Sequence, residues 1–300
     1  MSNFRSFIKA IFPSFLFQLY RIRKKKKRNE VLLAQKEKGQ VFTKEYLVQN
    51  LQSIGIQKGD SLLVHSSLSK MGYLENGPDT LIDALIEVIG TDGNLLMPSS
   101  PNALLQLDFI KSNSLFDVQN SPSKLGAITE VFRKRNGVIR SLNATEPVCA
   151  LGPDALYFTE GHFNELTPYT KKSPFYRLTE KNGKILYIGV TLANAGTSLH
   201  LLEDAVDFKY PVYFPEVFDV KIKDATGTIH EVKTKVHNPE YSKKRKCDEL
   251  LPLFLEEQVC LKVKIGNADS YLFDSKKMFD SMLKNYLEKG ITMYTPNPSN

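Results

Sequence analysis

Residues 197–204, with the sequence TSLHLLED, hold the side chains best suited to proton transfer. Thr197 is a good helix N-cap, which places His200 in the first helical turn, where the helix dipole disfavours a charged imidazolium. A neutral imidazole is what a general base requires near neutral pH. Glu203 and Asp204 follow at i+3 and i+4, so either carboxylate can accept a hydrogen bond from one ring nitrogen of His200. The alternative is that His200 simply fills the start of a helix.

A polar loop follows an apolar run at residues 61–65 and contains His65, Ser66, Ser67, Leu68 and Gly72. A polar loop at the carboxyl end of a strand is a common ligand site in layered α/β folds. The loop has no G-x-S-x-G nucleophile elbow, so a serine hydrolase is not indicated. The alternative is an ordinary loop between a strand and a helix.

A second candidate segment begins with Ser123, Leu125 and Gly126 and runs into a predicted helix that contains Arg133. A helix N-terminus that begins with serine and glycine is suited to an anion, and Arg133 and Arg140 could add charge-assisted hydrogen bonds. Taken alone, a capped amphipathic helix with a solvated basic end is the simpler interpretation.

Motifs for metals and nucleotides are missing from the sequence. Its five histidines show no HxxxH or HExxH spacing, and there is neither a Walker loop nor a GxGxxG motif. The three cysteines, Cys149, Cys247 and Cys260, are too widely spaced for a metal knuckle or a disulfide framework. We therefore expect no metal and a reducing, cytoplasmic setting.

The elements that must position these residues alternate in type, which predicts an α/β fold with a single domain over residues 41–295. Period-two patterns further along predict an antiparallel hairpin in the C-terminal third. Helices are expected at 43–54, 78–89, 125–134, 197–206 and 275–289, strands at 61–65, 94–97, 184–188 and 261–265, and the hairpin at 217–223 and 228–236.

Charge separates the first 40 residues from the rest of the 300-residue chain. Residues 1–40 hold eleven basic and two acidic residues, a net charge of +9, so residues 41–300 carry −2 of the total of +7. The positive charge thus belongs to an N-terminal extension and not to a basic domain, and no nucleic acid is expected as a partner.

The extension pairs an apolar stretch with a basic cluster. Phe4, Ile8, Ile11, Phe15 and Leu19 recur at helical spacing, and RIRKKKKR follows at 21–28. The uncharged run is too short to span a bilayer, and Pro13 should kink it. This combination predicts that residues 4–28 lie on an anionic membrane surface, at the inner face of the cell membrane. A docked helix and a solvated basic tail are the alternatives.

In order and spacing, eight segments between residues 43 and 290 resemble the aminoglycoside 3-N-acetyltransferase family. They are residues 59–68, 90–98, 125–133, 137–141, 173–174, 183–189, 197–203 and 265–268. The resemblance implies a three-layer α/β/α sandwich with a mixed central sheet, unrelated to the GNAT acetyltransferases. It also implies transfer of an acetyl group from acetyl-coenzyme A, as co-substrate, to an amine of an amino sugar.

The resemblance also implies roles for individual residues. His200 would be the general base, oriented by Glu203 or Asp204. The coenzyme A channel would be lined by His65, Ser66, Ser67, Leu68, Gly72, Ser123, Leu125, Gly126 and Arg133, and the acceptor would be bound by Asn143, Ser173 and Thr197. The chain departs from the family after Asn143, where Ala144, Thr145 and Glu146 replace the usual proline and serine.

Two acceptor classes follow from the sequence. The basic, apolar N-terminal segment favours a nucleotide- or lipid-linked amino sugar used for surface polysaccharide, because such precursors are assembled at membranes. The alternative acceptor is an aminoglycoside, which would make the chain a resistance enzyme. A non-catalytic protein that binds coenzyme A or membranes is the alternative from another class. Monomer and homodimer are both compatible with the sequence.

Overall fold

The structure is a computed structural model that describes residues 14–102, 105–112 and 115–297. Its strands are β1 (Val41–Phe42), β2 (Ser61–Ser66), β3 (Tyr73–Leu74), β4 (Asn94–Pro98), β5 (Leu115–Asp117), β6 (Ile139–Arg140), β7 (Val148–Leu151), β8 (Lys184–Ile188), β9 (Phe218–Lys223), β10 (Ile229–Thr234), β11 (Cys260–Ile265) and β12 (Ala268–Asp274). Its α-helices are α1 (Ser14–Glu37), α2 (Lys44–Ser53), α3 (Pro78–Ile89), α4 (Gln106–Ser112), α5 (Ala127–Phe132), α6 (Ala155–Glu160), α7 (Pro174–Glu180), α8 (Leu192–Ala195), α9 (Leu201–Ala205), α10 (Pro239–Ser242), α11 (Leu251–Glu256) and α12 (Ser275–Lys289).

Seven strands form the central sheet in the order β11-β12-β8-β2-β4-β7-β6. Strand β2 pairs in parallel with both of its neighbours, β4 and β8. The outer pairs, β4 with β7, β7 with β6, β8 with β12 and β12 with β11, are antiparallel. The sheet is therefore mixed, as predicted.

The central strands bury both of their faces, because neighbouring residues belong to different cores. Leu63 packs with Leu96 in one core, which also contains side chains of α7 and α12. Leu62 and Val64 pack in the other, together with side chains of α2, α3 and α5. Apolar side chains on both faces are expected of strands covered by helices on both sides. The predicted three-layer α/β/α arrangement is thereby confirmed.

A smaller sheet with the order β10-β9-β5 lies beside the main one. Strands β9 and β10 pair in antiparallel fashion from Ile229 opposite Lys223 to Thr234 opposite Phe218. This is the hairpin predicted from the alternating pattern, and Asp224 closes its turn by accepting backbone hydrogen bonds from Thr226 and Thr228.

Two local predictions were wrong. The helix expected at 125–134 is shorter, and α5 begins only after Gly126, whose φ of +133° is a conformation that side-chain-bearing residues rarely adopt. Thr197 does not cap a helix with its side chain. It starts a 3₁₀ turn, Thr197–His200, and its hydroxyl lies 3.3 Å from Nε2 of His65 instead. His200 therefore ends this turn and precedes α9.

Helix α1 runs over 24 residues and carries the basic cluster. Four residues of the predicted apolar stretch, Phe4, Ile8, Ile11 and Pro13, lie outside the described residues. Among the helices that the structure describes, none is long and apolar enough to cross a membrane.

Candidate active site

The site forms where β2 and β8 end side by side. These strands pair in parallel with His65 opposite Tyr187, and the two aromatic rings stack with centroids 5.0 Å apart. Because parallel strands end at the same edge of a sheet, the chain that leaves β8 passes close to the loop that leaves β2. The contact of Thr197 with His65 joins the two segments.

A cavity of about 330 Å³, the central cavity, opens at this edge. Its polar lining includes His65, Ser66, Gln106, Glu146, Tyr169, Thr197, His200, His237 and Arg245, with Leu125 and Thr129 on one side. The end of β2 and the segment that begins at Thr197, both predicted from the sequence to hold site residues, therefore face one common space.

A second cavity, the outer cavity, has a volume of about 430 Å³. It is lined by residues 66–69 and 125–129 and by Asn29 and Leu32 of α1. Ser66, Leu125 and Thr129 line both cavities, so the two are adjacent. The loop after β2 and the start of α5, predicted as the walls of one channel, both line this cavity.

His200 is held by Glu203. Its Nδ1 lies 2.9 Å from Oε2 of Glu203, and the side chains of both residues are buried. Nδ1 donates the hydrogen bond, because an ionised carboxylate only accepts. In a neutral imidazole the lone pair is then on Nε2, the nitrogen that a general base must have free.

Glu203 has two further donors that the sequence analysis did not identify. Nε2 of His237 donates to Oε2 at 2.8 Å, and the hydroxyl of Tyr294 donates to Oε1 at 2.6 Å. The rings of His200 and His237 lie 4.2 Å apart, and Tyr169 packs 4.8 Å from His200. Three hydrogen bonds thus hold one buried carboxylate in place.

The electrostatics agree with this assignment of protons. Burial lowers the pKa of His200 to about 3, which outweighs the opposing effect of Glu203. Burial alone would raise the pKa of Glu203, but the imidazoles of His200 and His237 hold that pKa below its usual range. A neutral imidazole thus lies beside an ionised carboxylate at pH 7.

The structure chooses between the two carboxylates that the sequence offered. Asp204 does not contact His200. It accepts hydrogen bonds from the hydroxyls of Thr167 and Tyr213, the latter at 2.6 Å. The role that the sequence gave to Asp204 is therefore corrected, because α9 directs this side chain away from the imidazole.

Five other predicted residues lie outside both cavities. Arg133 is committed to Glu130, with Nε 2.6 Å from Oε2. The hydroxyl of Ser123 forms a hydrogen bond with the hydroxyl of Thr129, with the two oxygens 2.8 Å apart. These side chains stabilise the start of α5, and neither lines a cavity.

The remaining three of the five stabilise local backbone. Oδ1 of Asn143 accepts from the backbone of Thr145 and Glu146. Ser173 is fully buried and caps α7 through the amide of Tyr176. Gly72 has a φ of +92°, and a Cβ there would lie 2.7 Å from the side chains of Asn267 and Phe42.

His65, Ser66, Ser67, Leu68, Leu125, Gly126, Thr197 and His200 do line one or both cavities. Glu203 lines neither cavity and acts through its hydrogen bond to Nδ1 of His200.

Glu146 adds a carboxylate to the central cavity. Its Oε1 accepts from Nε2 of Gln106 at 2.8 Å, and burial raises its pKa to about 7. The sequence marked this position only as a departure from a family pattern. The shift in pKa comes from the surrounding fold and has no signal in the sequence.

A metal is the other ligand that this cluster suggests. One ligand atom each from His200, Glu203 and His237 lies within 4.8 Å of the others. However, Nδ1 of His200 and Nε2 of His237 both lie within hydrogen-bond distance of Oε2 of Glu203, at 2.9 and 2.8 Å. The hydrogen bonds account for the cluster without an ion, and the absence of a metal stays a prediction.

The site thus combines an α/β/α sandwich, a buried histidine and glutamate pair beside the central cavity, and an outer cavity that adjoins it. The family model described as aminoglycoside 3-N-acetyltransferase matches residues 63–287. The chain therefore belongs to the aminoglycoside 3-N-acetyltransferase family, whose members are N-acetyltransferase enzymes.

Individual relatives agree with this assignment. Aminoglycoside N(3)-acetyltransferase IX of Micromonospora chalcea is 25% identical over 269 residues, which cover 83% of this chain and 95% of the relative. The solved structure of AAC-IIIb in a binary complex with CoASH has a TM-score of 0.70 and 26% identity, with 86% and 100% of the two chains covered. AAC-VIa bound to sisomicin also has a TM-score of 0.70, with 27% identity and 82% and 97% coverage.

Proposed function

We propose that the chain transfers the acetyl group of acetyl-coenzyme A to an amine of an aminoglycoside, with His200 as general base. The observation that carries the proposal is the neutral imidazole of His200, oriented by ionised Glu203, in the wall of a cavity that adjoins a second one. Two adjoining cavities suit two substrates that react in one ternary complex.

The residues present account for the chemistry. The nucleophile is the neutral amine, whose ammonium form has already lost one proton to solvent. As this amine attacks the thioester carbonyl and the C–N bond forms, Nε2 of His200 accepts a second proton from the nitrogen. The C–S bond then breaks, and the imidazolium returns its proton to the leaving thiolate. Glu203 stabilises the transient positive charge on His200. No nucleophile of the protein is required.

The two cavities differ in which of the two substrates they suit. Ser66 lies in the shared wall, and its buried hydroxyl has no hydrogen-bond partner among the described residues. An unpaired buried hydroxyl is costly unless a ligand completes it, and the amide groups of a pantetheine arm are suitable partners. We therefore place the donor along the outer cavity, with its thioester near His200.

The acceptor then occupies the polar part of the central cavity. Glu146 and Gln106 face this space together with Tyr169. Aminoglycosides carry several ammonium groups, and the nearby charge of a bound cation would favour the ionised form of Glu146. Asn143 positions the backbone of Glu146 and acts on the acceptor only through it.

The comparisons favour an aminoglycoside over the acceptor that the sequence analysis preferred. A nucleotide- or lipid-linked sugar was inferred from the basic N-terminal segment alone, whereas AAC-VIa, at 27% identity, was solved with sisomicin. Release of coenzyme A with a panel of aminoglycosides, beside UDP- and dTDP-linked amino sugars, tests the choice. We expect turnover with aminoglycosides. Turnover with the sugar nucleotides alone would overturn the proposed acceptor, and no turnover with either would favour a non-catalytic protein.

Binding of residues 4–28 to an anionic membrane surface stays a prediction. Apolar side chains of α1, including Ile22 and Leu33, are exposed, as such a role requires. Co-sedimentation with anionic liposomes, compared before and after deletion of residues 1–40, tests it. Unchanged binding after the deletion would contradict it.

A further inference from the structure

Helix α1 completes the wall of the outer cavity. Asn29 and Leu32 are three residues apart and therefore share one helical face, and this face closes the space between residues 66–69 and 125–129. Without α1, the cavity would be an open groove between two loops. The family model begins at residue 63, so this wall lies outside the matched region.

The C-terminal end of α1 is fixed to the body of the protein. The ammonium group of Lys36 lies 5.4 Å above the ring of Tyr73. Four residues beyond the helix, β1 pairs in parallel with β3, with Val41 opposite Tyr73. These contacts hold α1 beside the loop that leaves β2, which places Asn29 and Leu32 against the cavity.

The part of α1 that directly precedes Asn29 in sequence is the most basic segment of the chain. Residues 21–28 contain seven basic residues, and residues 14–29 contain no acidic one. Lys26 is exposed and lies three residues before Asn29, which is about 4.5 Å along the axis on the same face. An anion that leaves the cavity along α1 therefore comes near exposed Lys26, within the most basic segment of the sequence.

We propose that α1 is the binding element for the phosphate groups of the coenzyme A donor. Asn29 and Leu32 would enclose the pantetheine arm, and residues 21–28 would bind the diphosphate and the 3′-phosphate outside the cavity. This inference rests on the proposed function, because it takes the donor to lie in the outer cavity. It assigns the extension to recognition of a small anionic substrate.

The test compares donors with and without phosphates. Equilibrium dissociation constants of coenzyme A and of pantetheine, which lacks the nucleotide, are measured in the absence of an acceptor. The variant K24Q/K25Q/K26Q/K27Q keeps residues of good helix propensity and removes four charges. The variant K262Q/K264Q/K277Q/K284Q removes four exposed charges that line neither cavity and is the matched control.

We expect the first variant to bind coenzyme A about tenfold more weakly at low salt, with less difference at high salt, because exposed charges are screened. Its affinity for pantetheine should change less than about twofold, and the control should resemble the unmodified chain. Asn29→Asp, which places a negative charge in the wall, should also weaken binding of coenzyme A, and by more than it weakens binding of pantetheine, because only coenzyme A carries phosphates. Equal affinities of the first variant and the control for coenzyme A would overturn the proposal.

The outcomes separate this proposal from the proposed function. Coenzyme A bound through α1 by a chain that acetylates no amine would support this inference and overturn the acetyltransferase assignment. Normal turnover in the variant K24Q/K25Q/K26Q/K27Q, with an unchanged KM for acetyl-coenzyme A, would support the acetyltransferase assignment and overturn this inference. If the variant K24Q/K25Q/K26Q/K27Q no longer binds phosphatidylglycerol vesicles but keeps its affinity for coenzyme A, α1 is a membrane-binding element and the inference is overturned.

Discussion

Oε2 of Glu203 is shared by two histidines that lie 37 positions apart in the chain, with Nδ1 of His200 at 2.9 Å and Nε2 of His237 at 2.8 Å. Both imidazoles donate to one buried oxygen, and this fixes the tautomer of each ring. The shared carboxylate therefore determines which nitrogen of His200 is free to accept a proton.

Glu203→Gln should abolish most of the activity while the protein remains folded. The amide keeps the shape of the side chain but removes the negative charge that stabilises imidazolium, and its NH₂ group competes with the donors at His200 and His237. We expect kcat to fall by about 10²- to 10⁴-fold. Steady-state release of coenzyme A measures this, with circular dichroism as a check on folding. A fall of less than tenfold would contradict the role given to Glu203.

Asp204→Asn is the matched control for that variant. This neighbouring carboxylate binds Thr167 and Tyr213 and does not contact His200. The same change of charge at this position should lower kcat by less than about tenfold, since the imidazole keeps its orienting partner. Equal losses in Asp204→Asn and Glu203→Gln would mean that the two carboxylates act alike, against the geometry.

The secondary structure near the site was largely predictable, but its hydrogen-bond partners were not. The apolar run before His65 predicts β2, and the spacing of Glu203 from His200 is a local signal. His237 and Tyr294 follow Glu203 by 34 and 91 residues, so no periodicity connects them with it. The side-chain direction of Thr197 depends on the pairing of β2 with β8, which local propensity does not encode.

Glu146→Gln should weaken the binding of a polycationic acceptor. The carboxylate lies in the central cavity, and its charge attracts ammonium groups once a bound cation favours ionisation. We expect the KM for the aminoglycoside to rise about fivefold and the KM for acetyl-coenzyme A to stay within about twofold. Initial-rate measurements with each substrate varied in turn separate the two. A rise only in the KM for acetyl-coenzyme A would place the donor in this cavity instead.

Glu146 should also make stability depend on pH. Its pKa is raised by burial from 4.5 to about 7, so between these values the folded state binds more protons than the unfolded state. The contribution of Glu146 to the free energy of unfolding should therefore fall as the pH rises from 4.5 to 7, by at most about 3 kcal/mol. Urea unfolding of Glu146→Gln should lack this component. An identical pH dependence of the variant and the unmodified chain would contradict the shift.

The buried histidines should act in the opposite direction. Burial lowers the pKa values of His65, His162 and His200 from 6.5 to about 3, so the unfolded state binds more protons between these values. Their contribution is fully present above pH 6.5 and falls as the pH drops, by about 1.4 kcal/mol per pH unit for each histidine. His162→Gln lies outside both cavities and should make the acid slope measured by urea unfolding shallower. If the pH dependence of the free energy of unfolding at acid pH is the same in His162→Gln and the unmodified chain, His162 is not buried as a neutral imidazole.

Ser173→Ala separates a structural role from a role in acceptor binding. The hydroxyl of Ser173 accepts the amide hydrogen of Tyr176 at the start of α7 and lies outside both cavities. Loss of such a cap should lower the free energy of unfolding by about 1 kcal/mol and leave both KM values unchanged. A stable variant with a raised acceptor KM would restore the binding role that the sequence suggested.

The most direct test of the account is the rate of acetyl transfer by His200→Ala, measured together with its affinity for coenzyme A. If His200 is the base in a preformed donor site, kcat should fall by about 10²- to 10⁴-fold while the dissociation constant of coenzyme A changes less than about threefold. A variant that binds coenzyme A normally and retains most of its kcat at neutral pH would contradict the central claim.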